Sequence, residues 1–140
     1  MNELTIEIRG PGFAKIGAQM MASIDDMVAT SAEAILTDAK LSIANPPKTG
    51  RTYRHGKVTH QASAEGEPPA WDTGNLANAS QVRRIGNADY QVVFSAKYAR
   101  ALEFGYPVRA LAARPFLRPA VARERPRLIT VIRNMMRRGR

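Results

Sequence analysis

The chain has 140 residues, no cysteine and a formal net charge of +9. That length fits one domain with a real hydrophobic core, and the missing cysteines exclude a disulfide framework, a thiolate metal site and a thiol nucleophile. The start of the chain carries no basic-then-apolar signal pattern, and no apolar run approaches a membrane span, so a soluble protein that is not exported is expected.

In chain order, Leu4, Ile6 and Ile8 alternate with Thr5, Glu7 and Arg9, the period of a half-buried strand. Gly10-Pro11-Gly12 ends it. From Phe13 to Ala44 the apolar residues recur every three or four positions: Ile16, Met20, Ile24, Met27, Val28, Ile35, Ala39 and Ile43. This predicts one long amphipathic helix, stopped by Asn45-Pro46-Pro47. Residues 46–72 show neither period. They hold four prolines, three glycines, Arg51, Arg54 and Lys57, and both histidines. The segment is expected to be an extended arm, with a loose hairpin from Thr52 to Ser63 around His55-Gly56; an ordinary flexible insertion has the same composition.

Asp72 or Thr73 is placed to cap a short helical turn through Leu76 to Ala79. Strands over 80–86 and 90–96 come next, joined by the turn Gly86-Asn87-Ala88-Asp89. Tyr98 to Phe104 is expected as a short helix closed by Gly105, with Tyr98, Leu102 and Phe104 turned to the sheet. After a loop over 106–113 the last helix starts near Pro115, with an apolar stripe of Leu117, Val121, Leu128, Val131, Ile132 and Met135. Pro126 either kinks that helix or opens a second one, and the second outcome is preferred. The fold class is α+β: a long N-terminal helix and a C-terminal helical segment on a small, mainly antiparallel sheet, within a single domain over 1–140.

Charge is unevenly placed. Residues 114–140 hold nine arginines against one acid, Glu124, whereas residues 1–113 are nearly balanced. A clustered cation suits a polyanion, and a solvated arginine face has the same pattern. Arg51, Arg54 and Lys57, interleaved with Tyr53 and His55, and Arg137, Arg138 and Arg140 are the candidate polyanion contacts. With no nucleic-acid-binding signature present, any such contact would be to phosphate and non-specific. His55 and His60 lack the partners of a structural zinc site, and no cofactor or metal is expected. A hydrolase using these histidines is a distant alternative, because no nucleophile elbow accompanies them. Thr49-Gly50 and Thr73-Gly74 are turns, not phosphate loops. Trp71 is the single tryptophan. It suits either a hinge within its own core or an interface anchor.

Three segments, in order, carry a resemblance. They are Pro46-Pro47-Lys48-Thr49-Gly50-Arg51 with Gly66-Glu67-Pro68-Pro69-Ala70-Trp71-Asp72-Thr73-Gly74-Asn75-Leu76, then Lys97-Tyr98-Ala99-Arg100-Ala101-Leu102-Glu103-Phe104-Gly105, then Ala113-Arg114-Pro115-Phe116-Leu117-Arg118-Pro119-Ala120. The ordered set resembles the small morphogenesis proteins of long-tailed bacteriophages, the head-to-tail joining or tail-completion family that includes the minor tail protein Z type. It covers roughly residues 45–120. The resemblance implies a structural, non-enzymatic virion protein, assembled in the host cytoplasm. It would be a subunit of a homo-oligomeric ring, a hexamer, at the phage neck. Its partners would be other neck and tail proteins and, in the channel, non-specific DNA. Trp71, Tyr98, Glu103, Phe104, Arg114, Phe116 and Arg118 are the candidate subunit-interface residues. Glu103 is expected to pair with Arg114 or Arg118, within a subunit or across to a neighbour. Phe116 is expected at the interface and Leu117 in the core. A basic, non-specific nucleic-acid-binding module is the alternative from a different functional class.

Overall fold

The computed structural model describes residues 3–10, 17–45 and 48–138. Its class is α+β, as the sequence predicts. Strand β1 (Leu4–Arg9) pairs antiparallel with β5 (Asp89–Phe94), and β5 pairs antiparallel with β4 (Ser80–Gly86). The sheet order is therefore β1-β5-β4, with the last strand in sequence at its centre. The register sets Leu4 opposite Phe94 and Ile8 opposite Tyr90, so the period-two apolar residues of both strands share one face. A register shift between Arg84 and Gly86 ends the β4 ladder at the turn.

Helix α1 (Ala18–Ala44) lies on that face. At 27 residues it is about 40 Å long. The expected helix began at Phe13; Phe13 to Ile16 lie outside the described residues. Its buried side chains, Ile24, Val28, Ser31, Ala32, Ile35, Leu36, Ala39 and Ile43, form a stripe wider than one contact needs. The width has a cause: α1 packs on the sheet and also on α4 (Leu117–Arg138). Asp25 fixes α1 to the sheet end. Its carboxylate accepts hydrogen bonds from the Ala88 N–H at 2.7 Å, the Tyr90 hydroxyl at 2.7 Å and Arg84 at 3.2 Å. These donors, the Ala88 amide first, hold the Asp25 carboxyl below the ordinary range.

Helix α4 runs antiparallel to α1, since Arg123 meets Asp38 while Leu128 and Val131 lie beside Met27 and Ser23. It begins at Leu117 rather than Pro115 and is one continuous helix through Pro126, correcting the expected second helix. Pro126 stands on the exposed side, where solvent reaches the Ala122 carbonyl that loses its helical donor. The residues on both sides of it, Val121 and Ile132 among them, pack on one core. That burial keeps the helix continuous across the proline.

The arm contains the expected hairpin, β2 (Thr52–His55) and β3 (Val58–Gln61), paired antiparallel. Neither strand contributes a residue to the buried core cluster. Gly74, in the left-handed region at φ 82°, occupies the N-cap position of helix α2 (Asn75–Asn78), and the hydroxyl of Thr73 before it accepts the Asn75 N–H at 3.4 Å, in keeping with the capping role expected of Asp72 or Thr73.

Candidate subunit interface

Helix α3 (Ala99–Phe104) is short, and two residues four apart, Ala99 and Glu103, form its buried side. Of the three residues expected to turn inward, Leu102 packs partly buried against the core, whereas Tyr98 and Phe104 are 46% and 51% exposed. Gly105, at φ 81°, then swings the chain away; a Cβ there would sit 2.9 Å from the Leu111 carbonyl. The chain makes a turn at Pro107–Arg109 and closes by a Tyr106–Leu111 bridge before re-entering the body.

Glu103 organises the start of α4. Its Oε2 accepts the backbone N–H groups of Phe116 at 2.9 Å and Leu117 at 3.0 Å. Its Oε1 accepts the Arg118 N–H at 2.8 Å and the Arg118 Nε–H at 3.0 Å. These amides are the orphan donors at the N-terminus of α4, where the helix dipole also favours an anion. The Arg118 guanidinium donates back to the Glu103 carbonyl at 3.0 Å and lies 4.6 Å above the Phe104 ring. Glu103 thus pairs with Arg118 within the chain, not with Arg114.

Two interface candidates are corrected by this junction. Glu103 is fully buried and works as a remote cap. Phe116 is fully buried too, edge-to-face on Phe94 with ring centroids 5.0 Å apart. It precedes the helix, so the stripe of α4 does not include it, yet the strand end receives it. Leu117 is core, as expected. Arg114 points to the arm: its Nε donates to the Ser63 hydroxyl at 2.9 Å.

The arm base has a second lock. The Glu67 carboxylate accepts the Thr49 hydroxyl, the Thr49 N–H at 3.0 Å and the Ala64 N–H at 2.8 Å. The Thr49 hydroxyl and these amides, with Lys48 nearby, lower the Glu67 carboxyl to about 2. Glu67 lies in the Gly66–Leu76 segment of the resemblance, but nothing in the sequence marks it as a partner of Thr49.

The side chains left outside are aromatic and cationic. Tyr98, Phe104, Tyr106 and Val108 are exposed, Val108 by 85%; Tyr98, Phe104 and Tyr106, with Lys97, Arg100 and Arg109, surround a concavity of about 780 Å³ that no acid lines. A second concavity, about 530 Å³, runs from Tyr98 to Trp71, Tyr53 and His60. Tyr98 lines both, so the two are contiguous. Trp71 is 43% exposed, and its indole lies over Gly74, where an added Cβ would come within 2.7 Å. Tyr106, Val108, Arg100 and Arg109 are not individual candidates in the sequence, although the loop 106–113, which holds three of them, is with the arm the part expected to reach a neighbour. Their signal is an apolar valine and a tyrosine in a loop with no core period to satisfy.

The polyanion candidates separate into two places. Arg51, Arg54 and Lys57 are on the hairpin, which Ser63 ties to Arg114 beside the start of α4. Arg137 and Arg138 end α4, about 33 Å away along its 22 residues. Arg140 lies outside the described residues. Among the described residues no group of three His, Asp or Glu side chains is placed to hold a metal, and His60 packs edge-on against Tyr53 at 5.2 Å. No described helix is long and apolar enough to cross a membrane.

The chain matches no family model, no curated protein and no solved structure. The likeness to phage morphogenesis proteins therefore stands on the three sequence segments alone.

Proposed function

We propose that this chain is a structural virion-morphogenesis protein, a ring-forming subunit of a phage neck that completes the tail or joins it to the head. One observation carries the proposal: the exposed aromatic side chains of Trp71, Tyr98, Phe104 and Tyr106 on two concavities that meet at Tyr98, with Arg100 and Arg109 among them. Contiguous apolar exposure of this kind marks interaction surfaces, and aromatic and arginine side chains supply most interface hot spots. The surface is rigidly presented, because Glu103 and Gly105 fix its two ends to the core. Rings close through heterologous contacts, in which one patch meets a different patch of the next subunit. The hairpin, held at its base and outside the core, has the reach to be the second patch. The hexameric state, the neck and tail partners and the virion location follow from the family resemblance.

The test is a deletion in the phage genome that encodes the chain, read by electron microscopy of the particles. Filled heads with unjoined or unfinished tails are expected, rescued by the wild-type chain. A Tyr98→Ser/Phe104→Ser double variant should keep its melting temperature and fail to rescue. Normal joined particles from the deletion would remove the proposal.

A further inference from the structure

Arg123 pairs with Asp38 at 2.7 Å and Arg127 with Glu124 at 2.6 Å, so the flank beside the polar side of α1 is neutralised there. Arg125, Arg133, Arg137 and Arg138 are exposed and have no acidic partner among the described residues. With Ile129, the first three fall on successive turns, four residues apart, and form one exposed flank that winds about 40° around the helix at each step. From Arg125 to Arg137 the row is about 18 Å long.

We propose that this flank of α4 binds the phosphate backbone of duplex DNA, without reading its sequence. Three features select that partner. The row is exposed and uncompensated, and it faces a polyanion with a charge about every 1.7 Å of its axis. It carries no aromatic anchor, and Ile129 is its one large exposed apolar residue, so it lacks the desolvated centre that a protein interface needs. The apolar stripe of α4 is already spent on α1, which leaves no face to enter a lipid surface. Arginine suits the task, because its planar fork donates in pairs to phosphate oxygens. The hairpin cations are at the other end of the body and form no part of this row. The assignment does not depend on ring formation: a protein that fails the particle test would still bind DNA by this flank.

The measurement is the affinity of the full chain for a short duplex as a function of salt. Three phosphate contacts give a slope of log affinity against log salt of about −2.7, which is on the order of a 40-fold loss from 50 to 200 mM. The variant Arg125→Gln/Arg133→Gln/Arg137→Gln should bring that slope close to zero at an unchanged melting temperature. Arg123→Gln/Arg127→Gln, on the neutralised flank, should leave the slope as it was. A wild-type slope that survives the triple substitution but falls with Arg51→Gln/Arg54→Gln would overturn the assignment and move the contact to the hairpin. Absence of salt-sensitive duplex binding at low salt, with retained binding to polyglutamate, would overturn it in favour of an acidic protein.

Discussion

Removing the Glu103 carboxylate is expected to unsettle the fold far more than removing its partner Arg118. Glu103→Ala strands three backbone donors. Those of Phe116 and Leu117 are buried, and that of Arg118 is partly exposed. A buried donor without a partner costs about 1–3 kcal/mol. Two such donors together with the lost cap give about 3–5 kcal/mol, the usual loss when one side of a buried charged contact is deleted. For a chain of this size that corresponds to a fall in melting temperature of about 10–20 °C. The Arg118 side chain is 56% exposed while that of Glu103 is 1% exposed. Solvent screens the pair from the arginine's side, so Arg118→Ala forfeits only about 1 kcal/mol, including its stacking on Phe104. Glu103→Gln keeps the shape but turns an amide NH₂ toward groups that also donate, and should fall close to the alanine variant. Urea titration followed by circular dichroism measures all three. Equal losses for Glu103→Ala and Arg118→Ala, or a Glu103→Ala loss under about 1 kcal/mol, would refute the capping role.

Phe116→Ala should lower stability by about 3–5 kcal/mol in the same assay, because it empties a fully buried site against Phe94; a near-neutral result would return that ring to the interface. Pro126→Ala should raise stability by about 1–3 kcal/mol, since it restores a helical donor on an exposed turn, and a destabilised variant would mean the proline shapes the packing. The Glu67 carboxyl should titrate at about 2 by carbon-detected NMR, well below its ordinary 4.5. With the folded value depressed, its contribution is complete above about pH 4.5 and is lost as pH falls through about 2. Thr49→Val should return the midpoint toward the ordinary range; an unmoved midpoint would show that the hydroxyl is not the cause.

Local period makes most of the architecture legible. Strand β1, the stripe of α1 and the β4–β5 pair can be read from the sequence, because each repeats its signal within a few residues, while the hairpin is read from its His55-Gly56 turn alone. The features that escape such reading are non-local. Glu103 serves amides 13 to 15 positions away, and Glu67 reaches back 18 positions to Thr49. No spacing rule connects such residues. Phe116 is misplaced when helical period is applied one residue before the helix begins. Pro126 reads as a break because intrinsic propensity counts only the proline, whereas the shared core of α1 and α4 outweighs it. At the candidate interface, Trp71 is legible from residue type, whereas helical spacing assigns Tyr98 and Phe104 to the sheet and only the structure turns them outward. Tyr106 and Val108 become visible only once Gly105 is seen to turn their loop outward.

The hairpin β2–β3 supplies no side chain to the core cluster and is fastened only at its root. Selection can therefore act on it separately from the rest of the chain. Lengthening it, trading its charges or grafting a peptide between Gly56 and Lys57 leaves every buried contact of the body in place. A lineage could retune whatever this strip of sequence contacts, while the helices and sheet beneath drift under a different and slower constraint.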